Sequence, residues 1–151
     1  LGPMIQKLSE TGIAGLVLFN RFYSPDFDID KMEVVASNVF SAPSDLPISL
    51  RWIAIMAERV SCDLAASTGV HDGTALIKQI LAGANAVQVA STLYKNGKGR
   101  IADMLNTLEG WMDKKNYSSL SDFRGKMSQA KSSNPAAYER VQFMKYFGGK
   151  K

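Results

Sequence analysis

Three short apolar runs, each followed by a helical pattern, constrain the fold of this 151-residue chain more than any other feature. They cover residues 13–19, 62–66 and 86–90. Runs of this length, bounded by Gly, Asn or Ser, are typical of strands that are buried on both faces. Apolar residues between and after them recur at three- and four-residue spacing, as they do on one face of a helix. The alternation predicts βαβ units and a parallel sheet.

Capping residues place the helix ends. We expect a short helix at Met4 to Leu8, and a second helix that begins just after Pro47 with Ser49 as its cap. A third helix is predicted to start at Asp72 and to close at Gly83. The longest periodic stretch places six residues on the apolar stripe of a fourth helix, namely Ile101, Met104, Leu105, Leu108, Trp111 and Met112.

Residues 21–48 interrupt this alternation with a composition rich in Pro, Asp and Ser. Such a segment predicts a long loop, here with a small hairpin, and loops of this length inside compact domains are usually functional. Asp26, Asp28 and Asp30 alternate in it but lack the Gly and the distal Glu of a calcium-binding loop, so we interpret them as turn formers. No metal site is predicted.

Composition limits the classes of function. The formal charge of +4 is spread along the chain with little aromatic interleaving, which argues against nucleic-acid binding. No stretch reaches the length of a membrane span. A single cysteine, Cys62, cannot form an intrachain disulfide, so cytoplasm is the default location and Cys62 is interpreted as a small core residue. Leu1 is not an initiator, and we expect a chain cut from something longer or one that begins with a cloning remnant.

Small hydroxylic residues and glycine follow the second and third apolar runs, as Ser67-Thr68-Gly69 and as Ala90-Ser91-Thr92. Free backbone amides and the positive end of a helix dipole at such strand ends suit a phosphate group. In (β/α)8 barrels, phosphate sites are frequently built from the loops after the seventh and eighth strands. The alternative is that these residues only end strands and cap helices.

Three stretches together resemble the C-terminal FMN-phosphate region of the dihydroorotate dehydrogenases. They run from Ser67 to Gly73, from Leu81 to Leu93 and from Tyr117 to Lys126, and the resemblance covers residues 4–127. It implies an α/β fold over residues 1–127 that is the C-terminal part of a (β/α)8 TIM barrel, with about three parallel strands, incomplete by itself. An open three-layer sheet is the alternative. Residues 128–151 would form a tail with a possible docking helix in its aromatic cluster of Tyr138, Phe143, Tyr146 and Phe147.

The same resemblance implies the binding residues. FMN would be held by seven residues, namely Asn20, Ser67, Thr68, Gly69, Ala90, Ser91 and Thr92. Asn20 matches the asparagine that faces flavin and substrate in the family. Two positions depart from the family pattern by replacing a glycine, namely Thr68 and Ala90, and a threonine adopts a positive φ only at a cost. Where the family has a serine and small residues, this chain has Arg21, Phe22 and Tyr23, which become candidates for substrate specificity.

By resemblance, the whole protein would be an FMN-dependent oxidoreductase that oxidises dihydroorotate, a small anionic substrate, to orotate in pyrimidine biosynthesis. The family's base and its flavin-contacting lysine fall outside this chain, so we expect no catalytic residue here and an inactive fragment.

Three strands leave two open edges, which predicts a homo-oligomer or partner strands that complete the barrel. His71, the only histidine, is expected near the phosphate. The alternatives are another phosphate-binding barrel enzyme, a lyase or isomerase, and a non-catalytic assembly fragment.

Overall fold

The computed structural model describes residues 1–21 and 24–139. Its helices are α1 (Gly2–Ser9), α2 (Leu46–Met56), α3 (Gly73–Ala82), α4 (Ser91–Asn96) and α5 (Arg100–Lys115). Its strands are β1 (Gly15–Leu18), β2 (Pro25–Asp28), β3 (Glu33–Ala36), β4 (Asp63–Ala66) and β5 (Ala86–Val87). The predicted order of helices and strands is confirmed, and α4 is the one helix that the apolar periodicity did not indicate.

The main sheet is parallel, as predicted, with the strand order β1-β4-β5. Gly15 lies opposite Asp63, and Ala65 lies opposite Ala86. Burial differs from the expectation for β1, because Leu18 is buried while Val17 is 45% exposed. The reason is that the helices pack against the face that carries Leu18, while the described residues leave the face that carries Val17 less covered.

Helices α2, α3 and α5 cover the sheet in succession. Ile53 and Met56 of α2 pack with Leu64 of β4 in one cluster of fully buried side chains. A second cluster joins Ile80 of α3 to Phe123, and the partly buried Trp111 packs against it with its ring centroid 4.9 Å from that of Phe123. The predicted apolar stripe of α5 therefore packs against α3, as expected for the inner face of this helix. Of the six residues assigned to the stripe, only Met104 and Leu108 are buried.

The caps predicted for α3 are confirmed. The Asp72 carboxylate accepts a hydrogen bond of 2.7 Å from the Ala75 N–H, and Gly83 ends the helix with φ of 122°. The cap predicted for α2 is wrong. That helix begins at Leu46, so Ser49 lies inside its first turn, where its buried hydroxyl donates to the Leu18 carbonyl at 2.7 Å. Pro47 fits this first turn because no intrahelical acceptor exists for an N–H there.

The long loop carries the predicted hairpin, in which β2 and β3 pair antiparallel. Asp28 forms its turn, since one carboxylate oxygen accepts from the N–H groups of Asp30 and Lys31 at 3.1 and 3.0 Å. A short 3-10 turn, Pro43–Asp45, leads into α2. The interpretation of the loop aspartates as turn formers is confirmed for Asp28.

After α5 the chain packs against α2 and α3, where the backbone N–H groups of Gly125 and Gln129 donate to the carbonyls of Ile80 and Ala54. Asp122 accepts from the N–H groups of Ser119 and Ser118, both at 2.8 Å, and these hydrogen bonds, led by that of Ser119, lower the pKa of its carboxyl below the ordinary 3.8. The Tyr138 hydroxyl donates to the Met127 carbonyl at 2.6 Å. The predicted docking helix falls largely on residues 140–151, outside the described residues, and it stays a prediction.

Two expectations about burial and membranes can be compared with the structure. Cys62 precedes β4 and is half-buried, so its interpretation as a core residue is wrong. The strand begins one residue later than predicted, which leaves Cys62 in the turn that enters it. Within residues 1–21 and 24–139, no helix combines the length and the apolar character that a membrane crossing requires.

Candidate functional site

The carboxyl ends of β1, β4 and β5 border one cleft of about 490 Å³. Its walls come from all three strand ends and from the last part of the long loop. The lining residues are Asn20, Arg21, Val39, Ser41, Ser67, Thr68, Gly69, Val70, Gln88, Val89, Ala90 and Ser91. Six of the seven residues predicted to bind the cofactor are among them, and Thr92 is the exception. Ligands in parallel α/β proteins bind outside this end of the strands.

The loop after β4 turns on two consecutive residues with positive φ, Thr68 at 78° and Gly69 at 80°. The sequence predicted that a threonine would take such a conformation only at a cost, and the structure shows that it does take it. The Thr68 hydroxyl donates to the Phe19 carbonyl at 2.9 Å, which offsets part of that cost and ties this loop to the end of β1. Successive N–H groups in such a turn form an anion-binding concavity.

Gly69 is required by packing as well as by conformation. A Cβ atom at this position would lie 2.2 Å from the Leu46 nitrogen and 2.6 Å from the Leu46 Cα. The start of α2 therefore occupies the space where a side chain would stand. From the sequence, we interpreted Gly69 only as a small residue that lets a phosphate approach the backbone. The packing of Gly69 against Leu46 was missed because the two residues are distant in sequence.

The loop after β5 presents Ala90 and Ser91 to the cleft. Thr92 differs from them, because its side chain is fully buried and its hydroxyl donates to the His71 carbonyl at 3.1 Å. Only its backbone N–H could serve a ligand. Among the described residues, the N–H groups of Thr68, Gly69, Ala90 and Ser91 have no backbone or side-chain acceptor.

Helix dipoles contribute less to this site than the sequence predicted. The first turn of α3 is capped by its own Asp72, and a Cβ on Gly73 would meet the Thr107 side chain of α5 at 2.3 Å. The beginning of α3 therefore faces α5 rather than a ligand. Helix α4 has only six residues, and a helix of this length has a weak dipole. The donors at this site are loop amides and hydroxyls.

Ser41 joins the long loop to both strand-end loops. Its N–H donates to the Ser91 hydroxyl at 2.9 Å, and its own hydroxyl lies 3.1 Å from Nε2 of the buried His71. Lys95 approaches the Ser41 carbonyl at 3.5 Å. Neither Ser41 nor Lys95 stands out in the sequence, since one lies in a serine-rich loop and the other in a basic stretch. His71 is buried next to Ser41, and its expected proximity to a phosphate stays a prediction.

Asn20 and Arg21 lie at the end of β1, where a second compartment of about 200 Å³ adjoins the cleft. The Asn20 side-chain oxygen accepts from the Arg21 N–H at 2.9 Å, and the Arg21 guanidinium donates to the Asn38 carbonyl. Phe19 and Ile48 supply an apolar wall. The other two specificity candidates, Phe22 and Tyr23, lie outside the described residues.

The electrostatics of the larger compartment suit an anion. Among the described residues, its lining includes the Arg21 cation and no carboxylate, together with the hydroxyls of Ser67 and Ser91 and N–H groups that have no acceptor there. A phosphate monoester, with three acceptor oxygens and a double negative charge, matches this set of donors. Within the described ranges, no three His, Cys, Asp or Glu side chains cluster in a way that could hold a metal ion.

A strand-end cleft rich in backbone donors, on parallel β/α units, lies where (β/α)8 barrels frequently bind a phosphate. A ligand-free dihydroorotate dehydrogenase structure from Eimeria tenella superposes on the chain with a TM-score of 0.65 at 20% identity, over 83% of this chain and 36% of that one. The fold prediction is confirmed: the chain has the fold of the C-terminal part of a TIM barrel. The open three-layer alternative is not supported.

Sequence comparison shows which proteins the chain is similar to. The chain is 27% identical over 128 residues to the catalytic subunit of dihydroorotate dehydrogenase B (NAD(+)) of Alkaliphilus metalliredigens, over 83% of this chain and 42% of the relative. It is 30% identical over 125 residues to that of Petrotoga mobilis, over 81% and 41%. No protein-family model matches. The chain is dihydroorotate dehydrogenase-like, as its motifs predicted, and it spans about two fifths of the length of these curated relatives.

Proposed function

We propose that this chain supplies the FMN phosphate-binding part of a dihydroorotate dehydrogenase-like oxidoreductase. One observation carries the proposal. Four N–H groups without an acceptor among the described residues line the same cleft, and no described carboxylate lines it. These N–H groups belong to Thr68, Gly69, Ala90 and Ser91. The curated relatives are dihydroorotate dehydrogenases, which supports a redox role. The oxidation of dihydroorotate, and with it pyrimidine biosynthesis, is the corresponding proposal for the whole protein.

The residues divide into two groups by what they would hold. Backbone amides of the β4 and β5 loops and the hydroxyls of Ser67 and Ser91 would bind the phosphate, while Asn20 would face the flavin ring and the substrate. FMN, when bound, supplies the hydride chemistry. The protein's part is to fix the position of the cofactor and to balance its charge, and Arg21 is the cation available for that purpose in this cleft.

Substrate selection is assigned to the end of β1. Arg21 lies between the phosphate compartment and the smaller compartment walled by Phe19 and Ile48, and its guanidinium suits a small anion such as a carboxylate. Phe22 and Tyr23 follow it directly in sequence and remain candidates. The catalytic base would come from outside this chain, as would the strands that complete the barrel beyond the open edges of β1 and β5. Location in the cytoplasm is a further proposal, which the single cysteine supports.

Ala90→Glu tests the phosphate site without disturbing the fold. Ala90 is exposed to the cleft and its φ of −136° is negative, so the position does not require a glycine. A carboxylate there should weaken FMN binding by about 30-fold, because its repulsion of a nearby dianion is worth ~2 kcal/mol at an effective dielectric near 20. Ala90→Gln, which is equal in size and uncharged, is the matched control. Flavin fluorescence titration of the 151-residue chain measures both variants.

Ligand preference separates the candidate functions. FMN should bind at least about 100-fold more tightly than riboflavin, since charge-assisted hydrogen bonds to the phosphate are lost in riboflavin. Equal binding of FMN and riboflavin, or equal effects of Ala90→Glu and Ala90→Gln, contradicts the phosphate assignment. Binding of inorganic phosphate with no preference for FMN favours the alternative of a lyase or isomerase that binds a phosphorylated substrate. Failure to bind any of these ligands favours a non-catalytic assembly role.

A further inference from the structure

A series of hydrogen bonds joins α4 to the loop after β4. The side-chain amide of Asn96, at the end of α4, donates to the Thr92 carbonyl at 3.0 Å and to the Thr92 hydroxyl at 3.1 Å. The Thr92 hydroxyl donates in turn to the His71 carbonyl at 3.1 Å. Arg100, at the start of α5, donates to the same carbonyl at 3.0 Å. Two donors on one carbonyl therefore tie the loop after β4 to the loop after β5.

The chemistry of the groups fixes the direction of these bonds. A carbonyl only accepts, so the Asn96 side chain must turn its nitrogen, and not its oxygen, toward the Thr92 carbonyl. The same nitrogen donates to the Thr92 hydroxyl, whose single proton then goes to the His71 carbonyl. The His71 ring also lies 3.1 Å from the Ser41 hydroxyl. The Asn96 amide therefore orients a contact that connects both strand-end loops and the end of the long loop.

Asn96 is followed by Gly97, and no other asparagine in the sequence precedes a glycine. The backbone nitrogen of the following residue attacks an asparagine amide, and a glycine, which has no side chain, hinders this attack least. Both residues are exposed to solvent, and nothing in the described chain lies within 4 Å of the Cβ position of Gly97. The Gly97 N–H donates to the Leu93 carbonyl at 2.8 Å, so its nitrogen is held only while the last turn of α4 persists.

Helix α4 has little to keep its last turn closed. It has six residues, of which only Thr92 is buried, and Tyr94 is 80% exposed. A helix this short is marginal without packing, and segments with few buried contacts open at a much lower free energy than the whole fold. When the last turn opens, the Gly97 nitrogen and the Asn96 side chain are released together, while the rest of the protein stays folded.

We propose that Asn96 is a site of deamidation, and that its conversion to aspartate loosens the two strand-end loops. The Gly97 nitrogen gives its proton to water or hydroxide and attacks Cγ of Asn96. The bond from Cγ to Nδ2 then breaks and ammonia leaves, which forms a succinimide ring. Water opens the ring to aspartate or isoaspartate, so the reaction needs no other reactant. The modification does not depend on the FMN assignment, whereas its effect on cofactor affinity rests on that proposed function.

An aspartate at position 96 reverses the hydrogen bonding of this contact. A carboxylate only accepts, so it cannot donate to the Thr92 carbonyl, and it draws the proton of the Thr92 hydroxyl away from the His71 carbonyl. It also attracts the Arg100 guanidinium, which is the second donor to that carbonyl. The loop after β4 is then no longer held in the arrangement that directs its N–H groups into the cleft. We expect FMN binding to weaken by about tenfold because this preorganisation is lost.

Mass spectrometry of the 151-residue chain tests the modification. In mildly alkaline buffer, the folded chain should convert Asn96 at least about tenfold faster than Asn106, an exposed asparagine of α5 that is followed by a branched threonine. Gly97→Ala should slow the conversion although it strains the end of α4, so the slower rate cannot come from a more stable helix. The proposal is overturned if Asn106 converts as fast as Asn96, if Gly97→Ala leaves the rate unchanged, or if Asn96 converts only in urea.

Asn96→Asp and Asn106→Asp form a matched pair for the consequence. Each replaces an exposed helical amide by a carboxylate, and only Asn96 belongs to the contact with Thr92. Asn96→Asp should raise the unfolding equilibrium constant at least about fivefold and weaken FMN binding about tenfold, while Asn106→Asp changes neither by more than about twofold. Equal effects of the two variants overturn the role of Asn96. If wild type binds no FMN but only Asn96→Asp is destabilised, the FMN assignment fails and the role of Asn96 is supported.

Discussion

Gly69→Ala should destabilise the protein far more than the loss of one glycine usually does. The new Cβ would stand 2.2 Å from the Leu46 nitrogen, where ordinary contacts begin near 3.4 Å, so the start of α2 would have to move by about 1 Å. Overpacking of this kind costs about 1–3 kcal/mol, and a positive φ of 80° costs a further 1–2 kcal/mol or so for an alanine. We expect a loss of about 3–4 kcal/mol in the free energy of unfolding.

Two other glycines separate these contributions. Gly97 has φ of 76° but nothing within 4 Å of its Cβ position, so Gly97→Ala should show the conformational cost alone, about 1 kcal/mol. Gly110 lies in α5 with open space around it, and Gly110→Ala should stabilise the protein by ~0.5–1 kcal/mol. Urea unfolding followed by tryptophan fluorescence measures all three. If Gly69→Ala costs no more than Gly97→Ala, the start of α2 does not restrict this position and the packing argument fails.

Two further predictions concern buried and capping polar groups. Ser49→Ala should lower the free energy of unfolding by about 1–3 kcal/mol, because it removes the hydroxyl that donates to the Leu18 carbonyl and accepts from the Gln79 side chain. A urea unfolding midpoint equal to that of wild type would refute this prediction. Asp122→Asn should reduce the pH dependence of stability in acid. Because the pKa of Asp122 is lowered in the folded protein, its contribution to the free energy of unfolding is fully present above the ordinary pKa of 3.8 and is lost as the pH falls through the folded-state pKa. If the free energy of unfolding falls with pH equally steeply in wild type and variant, the prediction is wrong.

The sheet and the positions of its strand-end loops were predictable because they depend on local patterns. Apolar runs of about five residues, small residues after them and caps such as Asp72 are all read within a few neighbours. These signals located Ser67, Gly69, Ala90 and Ser91, and all four line the cleft. The family resemblance added Asn20, which local pattern alone would have assigned to a turn.

The features that were missed depend on contacts between distant parts of the chain. Ser49 was predicted to cap α2, yet its hydroxyl serves the end of β1. Thr92 was grouped with the ligand-binding residues, while the structure buries its side chain against His71. The exposure of Phe27 and Val34 also has no local signal, because an alternating pattern states that one face is apolar and does not state what covers it.

The hydrogen bonds of Ser41 connect the long loop to both strand-end loops of the proposed phosphate site. Ser41 contacts both Ser91 and His71, so the position of the loop and the geometry of the two strand-end loops share one set of bonds. A ligand that binds better to this arrangement of Ser91 therefore also stabilises the bound position of the loop. By thermodynamic reciprocity, the loop in that position raises the affinity of the ligand by the same factor by which the ligand raises the equilibrium constant for placing the loop. In this chain the backbone amide and the hydroxyl of Ser41 therefore link occupancy of the proposed site to the position of the last part of the long loop.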